Sequence, residues 1–224
     1  MDGQTRDESP RGNTKVTAEQ WLDAAEAVLI RDGVAQVKVL PLSEALGVSR
    51  SSFYWYFKSR RDLLDRLLAR WQGKNTQAVL DHAAREASKI TGSVMHLFEC
   101  FIDPAKFDPR LDFAVREWAR RAPEVRAELD RADTARVSAI QEMFIRHGFA
   151  PDEAFVRARI VYFMQIGYYA LVETEPLETR IAQLESYLFA FTGEVPDADE
   201  MHAFVARSRQ TLAKSAEKNA SFTT

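Results

Sequence analysis

Residues 42–64, LSEALGVSRSSFYWYFKSRRDLL, constrain the fold more than any other part of the chain. Two short helical patterns flank one glycine there. Gly47 suits the left-handed backbone that ends a helix, and Ser49 is suited to accept a backbone N–H at the start of the next one. Phe53 and Phe57 are four residues apart, so they share a face and are expected to pack on the apolar residues before the turn. The segment is therefore predicted to form a helix-turn-helix.

The polar and aromatic side chains of this segment fall on the face opposite Phe53 and Phe57. They supply guanidinium, ammonium, hydroxyl and aromatic groups, which are the groups that contact phosphates and base edges in DNA. The predicted DNA-contacting residues are Lys38, Ser49, Arg50, Ser51, Ser52, Tyr54, Trp55, Tyr56, Lys58 and Arg60. For Lys38, Lys58 and Arg60 an ordinary solvated side chain is the alternative.

The order of these residues resembles the N-terminal signature of the TetR family of bacterial transcriptional regulators. That signature runs Gly-Val-Ser, then a short helix ending in Tyr-any-His/Tyr-Phe, then a polar linker into a long helix. This chain has GVS at 47–49, YWYF at 54–57 and KSR at 58–60. Tyr56 occupies a position where many members have His, and Arg60-Arg61 replaces a more usual pair of Lys and an acid. The resemblance covers roughly residues 17–70.

The resemblance implies a homodimer that binds an inverted-repeat operator in double-stranded DNA and is released by a small-molecule effector of unknown identity. Two-fold operators require two-fold proteins. Repression is the favoured direction of control, because a dimer on an operator occludes polymerase. The alternative is an all-α small-molecule carrier or an enzyme with a vestigial helix-turn-helix. No hydrolase elbow, zinc-protease pair, Walker loop or dinucleotide motif occurs in the sequence, so no catalytic residue, metal or cofactor is predicted.

Apolar residues recur at spacings of three and four along the chain, which predicts an all-α fold. Thr17 with Gln20, and Ser59 with Asp62, are capping signatures at two helix starts. The predicted organisation is a disordered arm at 1–15, a three-helix DNA-binding domain at 16–75, a larger helical effector-binding and dimerisation domain at 76–215, and a disordered tail at 216–224. Helices of the larger domain are predicted near 93–102, 109–121, 124–147, 153–174, 177–191 and 198–214.

Charge and cysteine content bear on partners and compartment. The net charge is −3, yet bases outnumber acids in residues 1–75 and acids outnumber bases in the remainder. The single cysteine, Cys100, excludes an intrachain disulfide and favours a reducing compartment. The first fifteen residues have no apolar signal-peptide core, and no later run is long enough to span a membrane. A cytoplasmic protein without a membrane partner is expected.

Residues 155–172 are apolar around nearly the whole circumference of a helix, which predicts burial on several sides. With residues 181–191 they are candidates for half of a four-helix bundle between two subunits, and an intrachain core is the alternative. The resemblance also implies an effector pocket, whose candidate wall residues are Met95, Phe98, Ile102, Phe113, Trp118, Phe144, Phe163, Gln165 and Tyr168. Ordinary core packing is the alternative for the apolar ones. Aromatic walls favour a largely apolar effector with few polar groups.

Three polar features of the larger domain carry separate expectations. Gln165 is an amide inside an apolar run and requires a hydrogen-bond partner, which is a ligand, a water or the opposing subunit. Asp130 and Asp133, among neighbouring arginines at 131 and 136, are predicted to form a solvated, salt-bridged face. His96 and Cys100 share a helix face, which is compatible with a thiol or metal sensor, but metal sites normally need three or four ligands.

Overall fold

The computed structural model describes residues 16–171 and 175–221. Over these ranges the chain forms helices joined by turns, without a β-strand. The helices are α1 (Ala18–Asp32), α2 (Val39–Ala45), α3 (Arg50–Phe53), α4 (Arg60–Trp71), α5 (Gln77–Ala83), α6 (Ile90–Ile102), α7 (Pro109–Ala119), α8 (Pro123–Arg146), α9 (Pro151–Ala170), α10 (Leu177–Thr192) and α11 (Ala198–Ser221). A 3₁₀ turn (Val34–Gln36) precedes α2, and a π-helical turn (Gln72–Thr76) joins α4 to α5. The all-α prediction is confirmed.

Both capping signatures form at the helix starts where they were expected. Thr17 Oγ1 accepts a hydrogen bond from the Gln20 N–H at 3.3 Å, and Gln20 Oε1 accepts one from the Thr17 N–H at 2.8 Å. Ser59 Oγ accepts from the Asp62 N–H at 3.2 Å. These bonds satisfy amides that a helix start leaves unpaired, so local sequence determines where α1 and α4 begin.

The first of two buried clusters holds together the helices of the predicted DNA-binding domain. It contains Trp21, Leu29, Phe53, Phe57, Leu63 and Leu67 from the N-terminal helices, Leu111 and Val115 from α7, and Val125 and Leu129 from α8. Helix α7 and the first half of α8 therefore pack in the same core as α1 to α4. This differs from the predicted boundary at residue 76, because one apolar face of α7 lies against α1 and α4.

The second cluster forms the core of the C-terminal helices. It includes Val94, Leu97, Phe101, Ile140, Phe144, Val161, Leu188 and Phe204 from α6, α8, α9, α10 and α11. Helix α11 continues to Ser221, whereas a disordered tail is predicted from residue 216. No glycine or proline follows Pro196, and the terminal segment is rich in the helix formers Ala, Lys and Glu. The predicted arm at 1–15 and residues 222–224 lie outside the described residues.

Candidate nucleic-acid interface and effector cleft

The helix-turn-helix is built as its apolar residues predict. Gly47 ends α2 with φ of +66°, a conformation that side chains with a Cβ rarely adopt. The rings of Phe53 and Phe57 stack with centroids 5.1 Å apart, and the edge of Phe53 meets Trp21 of α1 at 5.3 Å. Helix α3 has only four residues, so Tyr54, Trp55 and Tyr56 lie in the turn that follows it. The aromatic pair anchors this short helix on α1 and leaves its outer side exposed.

Exposed side chains on that outer side are Arg50, Ser51, Tyr54, Trp55 and Lys58, while Ser52 and Tyr56 are half-buried. Trp55 is 74% exposed and Tyr54 is 55% exposed, which is unusual for large aromatic side chains on a folded protein. Cationic, hydroxyl and aromatic groups therefore share one surface. Lys38 is exposed at the start of α2, where its Nζ donates to Gln36 Oε1 at 3.2 Å.

Ser49 precedes α3 as predicted but does not cap it with its side chain. Its Oγ lies 2.7 Å from Ser51 Oγ, and no backbone N–H of the described residues donates to it. In a helix of four residues the two hydroxyls satisfy each other instead. Both remain exposed beside Arg50.

Arg60, which is predicted to contact the DNA backbone, is exposed and makes two hydrogen bonds within the protein. Its Nε donates to the Val37 carbonyl at 2.5 Å, and its Nη2 donates to the Val34 carbonyl at 2.6 Å. The guanidinium thus ties the start of α4 to the loop that precedes α2. Sequence alone gives no signal for this role, because Arg60 lies more than twenty positions from both Val34 and Val37. Arg60 positions the segment from which Lys38 projects.

A small cleft of about 90 Å³ that opens to solvent lies between α6, α9, α10 and α11. Four of the predicted pocket residues line it, namely Phe98, Ile102, Gln165 and Tyr168. The lining also contains Phe101, Met164, Glu175, Arg180, Ile181, Leu184, Tyr187, Phe204, Val205 and Ser208, which were not predicted as pocket residues. The α11 side of the cleft was predictable in part. Phe204 and Val205 give α11 an apolar face, and Ser208 follows one turn later.

The other predicted pocket residues lie elsewhere. Met95 and Phe144 are core residues, buried because α6 and α8 pack there. Phe113 and Trp118 line a separate groove between α7 and the end of α1. Phe163 points outward from α9 and is 49% exposed. Helical spacing cannot distinguish these environments, because each depends on which helix packs against which face.

A buried polar network connects the two cores, at a place where the sequence predicts a solvated face. The Arg136 and Asp112 side chains are fully buried and form an ion pair at 3.0 Å. Asp112 also accepts from Trp71 Nε1 at 2.8 Å, and Arg136 donates to the Tyr162 hydroxyl at 3.0 Å. The prediction of a solvated face was wrong for Arg136, because packing of α7 and α9 covers that part of α8.

Charge pairing determines the ionisation of this network. Burial alone raises the pKa of Asp112, but Arg136, Arg116 and the Trp71 hydrogen bond hold it below its ordinary value of 3.8. Arg116 bridges the carboxylates of Asp112 at 2.9 Å and Asp133 at 2.8 Å. Charged groups from α7 and α8 therefore meet the last residue of α4 and Tyr162 of α9. These bonds therefore join α9 to the end of α4 through α7 and α8.

The environment of Cys100 is that of a core residue. It is buried, and burial raises the pKa of its thiol to about 12. Glu99 forms ion pairs with Arg85 and Arg207 at 2.9 and 2.8 Å. Over the described part of the chain, no group of three His, Cys, Asp or Glu residues is arranged to hold a metal ion. Among the same residues, no helix has the length and apolar content needed to cross a bilayer.

Comparison with known proteins finds sequence similarity in the N-terminal region. Residues 22–67 match the family model described as bacterial regulatory proteins, tetR family. The HTH-type transcriptional regulator TtgR of Pseudomonas putida is 32% identical over 69 residues, which is 31% of this chain and 30% of that protein. A probable HTH-type transcriptional regulator of Pseudomonas putida, ArpR, matches equally. The match therefore spans about a third of the length of these relatives.

Similar folds cover most of the chain. AmtR of Mycobacterium smegmatis has a TM-score of 0.57 and 20% identity, over 89% of this chain and 97% of that one. The fatty acid degradation regulator FadR from Bacillus halodurans has a TM-score of 0.55 and 18% identity, over 82% and 96% of the two chains. At these identities the likeness concerns the fold. The fold of this chain, including its helical C-terminal region, is therefore similar to the folds of these two proteins.

Proposed function

We propose that this chain, whose residues 22–67 match the family model of bacterial tetR regulatory proteins, is a TetR-family regulator: a cytoplasmic, dimeric repressor released from an inverted-repeat operator by a small, largely apolar effector. The observation that carries this proposal is the exposed group formed by Arg50, Tyr54, Trp55 and Lys58 beside a rigid aromatic anchor. A cationic and aromatic surface on a helix-turn-helix suits the major groove and its flanking phosphates.

The roles within this surface follow from position and chemistry. Arg50 is the first residue of α3, and the N-terminal end of a recognition helix is the end that enters the major groove. We therefore propose that Arg50, Ser51 and Ser52 contact base edges. The hydroxyls of Tyr54 and Tyr56 and the indole of Trp55 are assigned to phosphates and sugars. Lys38 and Lys58 are assigned to phosphates, and Ser49 supports Ser51 through their shared hydrogen bond.

The dimer is supported by an apolar stripe on α9. Val156, Ile160, Phe163 and Leu171 follow helical spacing, and each is between 49% and 73% exposed. An apolar stripe of this length on a monomer marks an interaction surface. Phe189, 53% exposed on the neighbouring α10, extends it. A second copy that covers both helices would form a four-helix bundle and set the distance between two recognition helices.

Release by an effector requires a link from the cleft to the DNA-binding helices. Gln165 lines the cleft, and Tyr162 lies one turn earlier on α9 with its hydroxyl in the buried network. That network reaches Trp71 at the end of α4 through Asp112. We propose that the effector favours a position of α9 that alters these bonds and reorients α4. The mechanism is a population shift between operator-binding and non-binding dimers.

The test is selection of binding sites by the purified full chain from a random double-stranded DNA pool at near-physiological salt. An enriched inverted repeat is expected, and survivors without a shared two-fold sequence would contradict the proposal. The variant Arg50→Ala with Tyr54→Ala should lose the enrichment. Lys214→Ala changes an exposed lysine on α11 and is the matched control. Salt is held constant, since weak phosphate affinity at low salt imitates specificity.

A further inference from the structure

The cleft contains one buried donor that the packing of the protein leaves without an acceptor. Gln165 is 3% exposed, and no acceptor among the described residues lies within hydrogen-bonding distance and angle of its Nε2. Burial raises the pKa of the neighbouring Tyr169 hydroxyl, and a hydrogen-bond contact with the Gln165 side chain lowers it. That contact lies outside normal hydrogen-bond geometry and involves at most one of the two Nε2 hydrogens, so at least one N–H has no acceptor. The hydroxyl itself donates to the Phe101 carbonyl at 3.0 Å. An unpaired buried amide is costly, so a partner for Nε2 is expected.

The position of Gln165 on α9 indicates where this partner comes from. Val161, Tyr162 and Gln165 are buried on the inner face of the helix, whereas Ile160 and Phe163 are exposed on the outer face. The outer face is the one proposed to meet a second subunit. In the dimer proposed above, the partner for Nε2 is therefore a water or a ligand atom that enters the cleft.

Other polar groups that line the cleft have partners or lie near its rim. Ser208 Oγ donates to the Phe204 carbonyl at 2.9 Å, and the Tyr168 hydroxyl donates to Glu175 at 3.3 Å. The Arg180 guanidinium is exposed and lies 5.0 Å from the centroid of the Tyr168 ring.

The buried part of the lining offers no charge to pair with an ionised ligand. Apart from Gln165 and Ser208 it consists of apolar and aromatic side chains, including Phe98, Phe101, Ile102, Leu184 and Phe204. Moving a carboxylate or ammonium group into such surroundings is strongly unfavourable, whereas a neutral acceptor that pairs with Nε2 is favourable.

We infer that the cleft binds uncharged, largely apolar molecules with one hydrogen-bond acceptor at the buried end, the chemical class of ketones, aldehydes and esters. Gln165 Nε2 donates to that acceptor, and the aromatic walls enclose the apolar body. This inference rests on the proposed function in treating the cleft as the effector site. It deepens that proposal by naming the class of effector and the residue that selects it.

The experiment compares four probes of similar size by titration calorimetry with the full chain in the absence of DNA. The probes are 2-acetonaphthone, 2-isopropylnaphthalene, 2-naphthoate and 2-naphthylmethylammonium. The ketone should bind about tenfold more tightly than the hydrocarbon, as one hydrogen bond to a buried donor implies. Both ions should bind at least about tenfold more weakly than the ketone.

The variants Gln165→Leu and Gln165→Met should bind ketone and hydrocarbon equally, because the donor is gone and the apolar walls remain. Two replacements are used so that one misfolded variant, detected by its circular dichroism melt, does not decide the result. Gln210→Leu makes the same chemical change on the exposed side of α11 and should keep the tenfold preference.

Several outcomes would overturn the inference. These are absence of binding by all four probes, tightest binding of naphthoate, or a ketone preference that survives both Gln165 variants. An enriched inverted repeat without a ketone preference would overturn this inference and leave the proposed function standing. A ketone preference without any enriched operator would overturn the proposed function and leave this inference about the cleft standing.

Discussion

The Arg136 guanidinium and the Asp112 carboxylate form an ion pair at 3.0 Å with both side chains fully buried. Asp112 belongs to α7, which packs with the DNA-binding helices, and Arg136 belongs to α8, which extends into the second core. The Trp71 indole and the Tyr162 hydroxyl complete the contact. One charge pair therefore holds together the end of α4, two connecting helices and the helix that borders the cleft.

Arg136→Met should lower the free energy of unfolding by about 3 kcal/mol, because it leaves the Asp112 carboxylate buried with Arg116 as its remaining cation. Asp112→Asn should be similarly destabilising. The double variant should cost less than the sum of the two by at least about 1 kcal/mol. Denaturant unfolding measures all three.

The control for this cycle is Arg126→Met, which removes one partner of the exposed Arg126–Asp130 pair. That change should stay within about 0.5 kcal/mol of the parent protein. Additive single effects at Asp112 and Arg136 would show that the two side chains do not act as a pair.

Stability should fall as the pH is lowered from 7.5 to 5.5, and His82 should contribute. Burial lowers the pKa of His82 below its ordinary value of 6.5. Its Nδ1 lies 2.7 Å from the Ala78 carbonyl and its Nε2 lies 3.3 Å from Lys106 Nζ, an arrangement that suits the neutral ring. As the pH falls, His82 is protonated in the unfolded chain before it is protonated in the folded protein. Its contribution to stability is therefore fully present above about pH 6.5 and is lost as the pH falls through the pKa of the folded state.

The measurement is denaturant unfolding at several pH values. His82→Gln should flatten the pH dependence, and His202→Gln, an exposed replacement on α11, is the control. If the free energy of unfolding depended on pH in His82→Gln as it does in the parent protein, His82 would not contribute to the pH dependence.

Two glycines should respond to alanine in opposite directions. Gly73 has a helical backbone and open space where a Cβ would be, so Gly73→Ala should stabilise the protein by about 0.5–1 kcal/mol. Gly47 has φ of +66°, and Gly47→Ala should destabilise it by about 1 kcal/mol. Thermal and denaturant unfolding measure both, and destabilisation by Gly73→Ala would mean that the π-helical turn requires glycine.

Ile160→Glu should separate the proposed dimer. Ile160 is central in the exposed stripe of α9, and a two-fold interface would bury two unpaired carboxylates, which should weaken association by roughly 100-fold or more. Light scattering with size-exclusion chromatography measures the mass. Leu40→Glu is the matched control, because Leu40 is 49% exposed against 51% for Ile160 but lies on α2. A variant that remains dimeric would place the interface elsewhere.

Lys58→Ala and Arg60→Ala should affect DNA binding differently. If Lys58 contacts a phosphate, Lys58→Ala should make operator affinity less dependent on salt. The slope of log K against log salt concentration should become smaller in magnitude by about one. Arg60→Ala should keep the slope and lower the free energy of unfolding by roughly 1 kcal/mol, because two hydrogen bonds to the Val34 and Val37 carbonyls disappear. If Arg60→Ala reduced the slope and left stability unchanged, Arg60 would be a phosphate contact and not a structural residue.

The success of the sequence predictions depended on the range of the interactions involved. The caps at Thr17 and Ser59 and the glycine turn at 47 involve residues within four positions, so their geometry follows from local chemistry. The sequence did not reveal the hydrogen bonds of Arg60, because the carbonyls of Val34 and Val37 that accept them are distant in sequence. Met95 and Phe163 share the aromatic or apolar character of the cleft walls, yet one is buried in the core and the other points outward.

The sequence by itself determined the all-α class, the helix-turn-helix and the starts of the capped helices, since periodicity and capping are encoded by near neighbours. The tertiary structure decided which faces became core, cleft or exposed stripe. It decided that Arg136 is buried against Asp112 and that the Gln165 amide faces an apolar cleft. These features depend on helices from opposite ends of the chain meeting in space, and burial changes the energetics of a charge or an amide only after they have met.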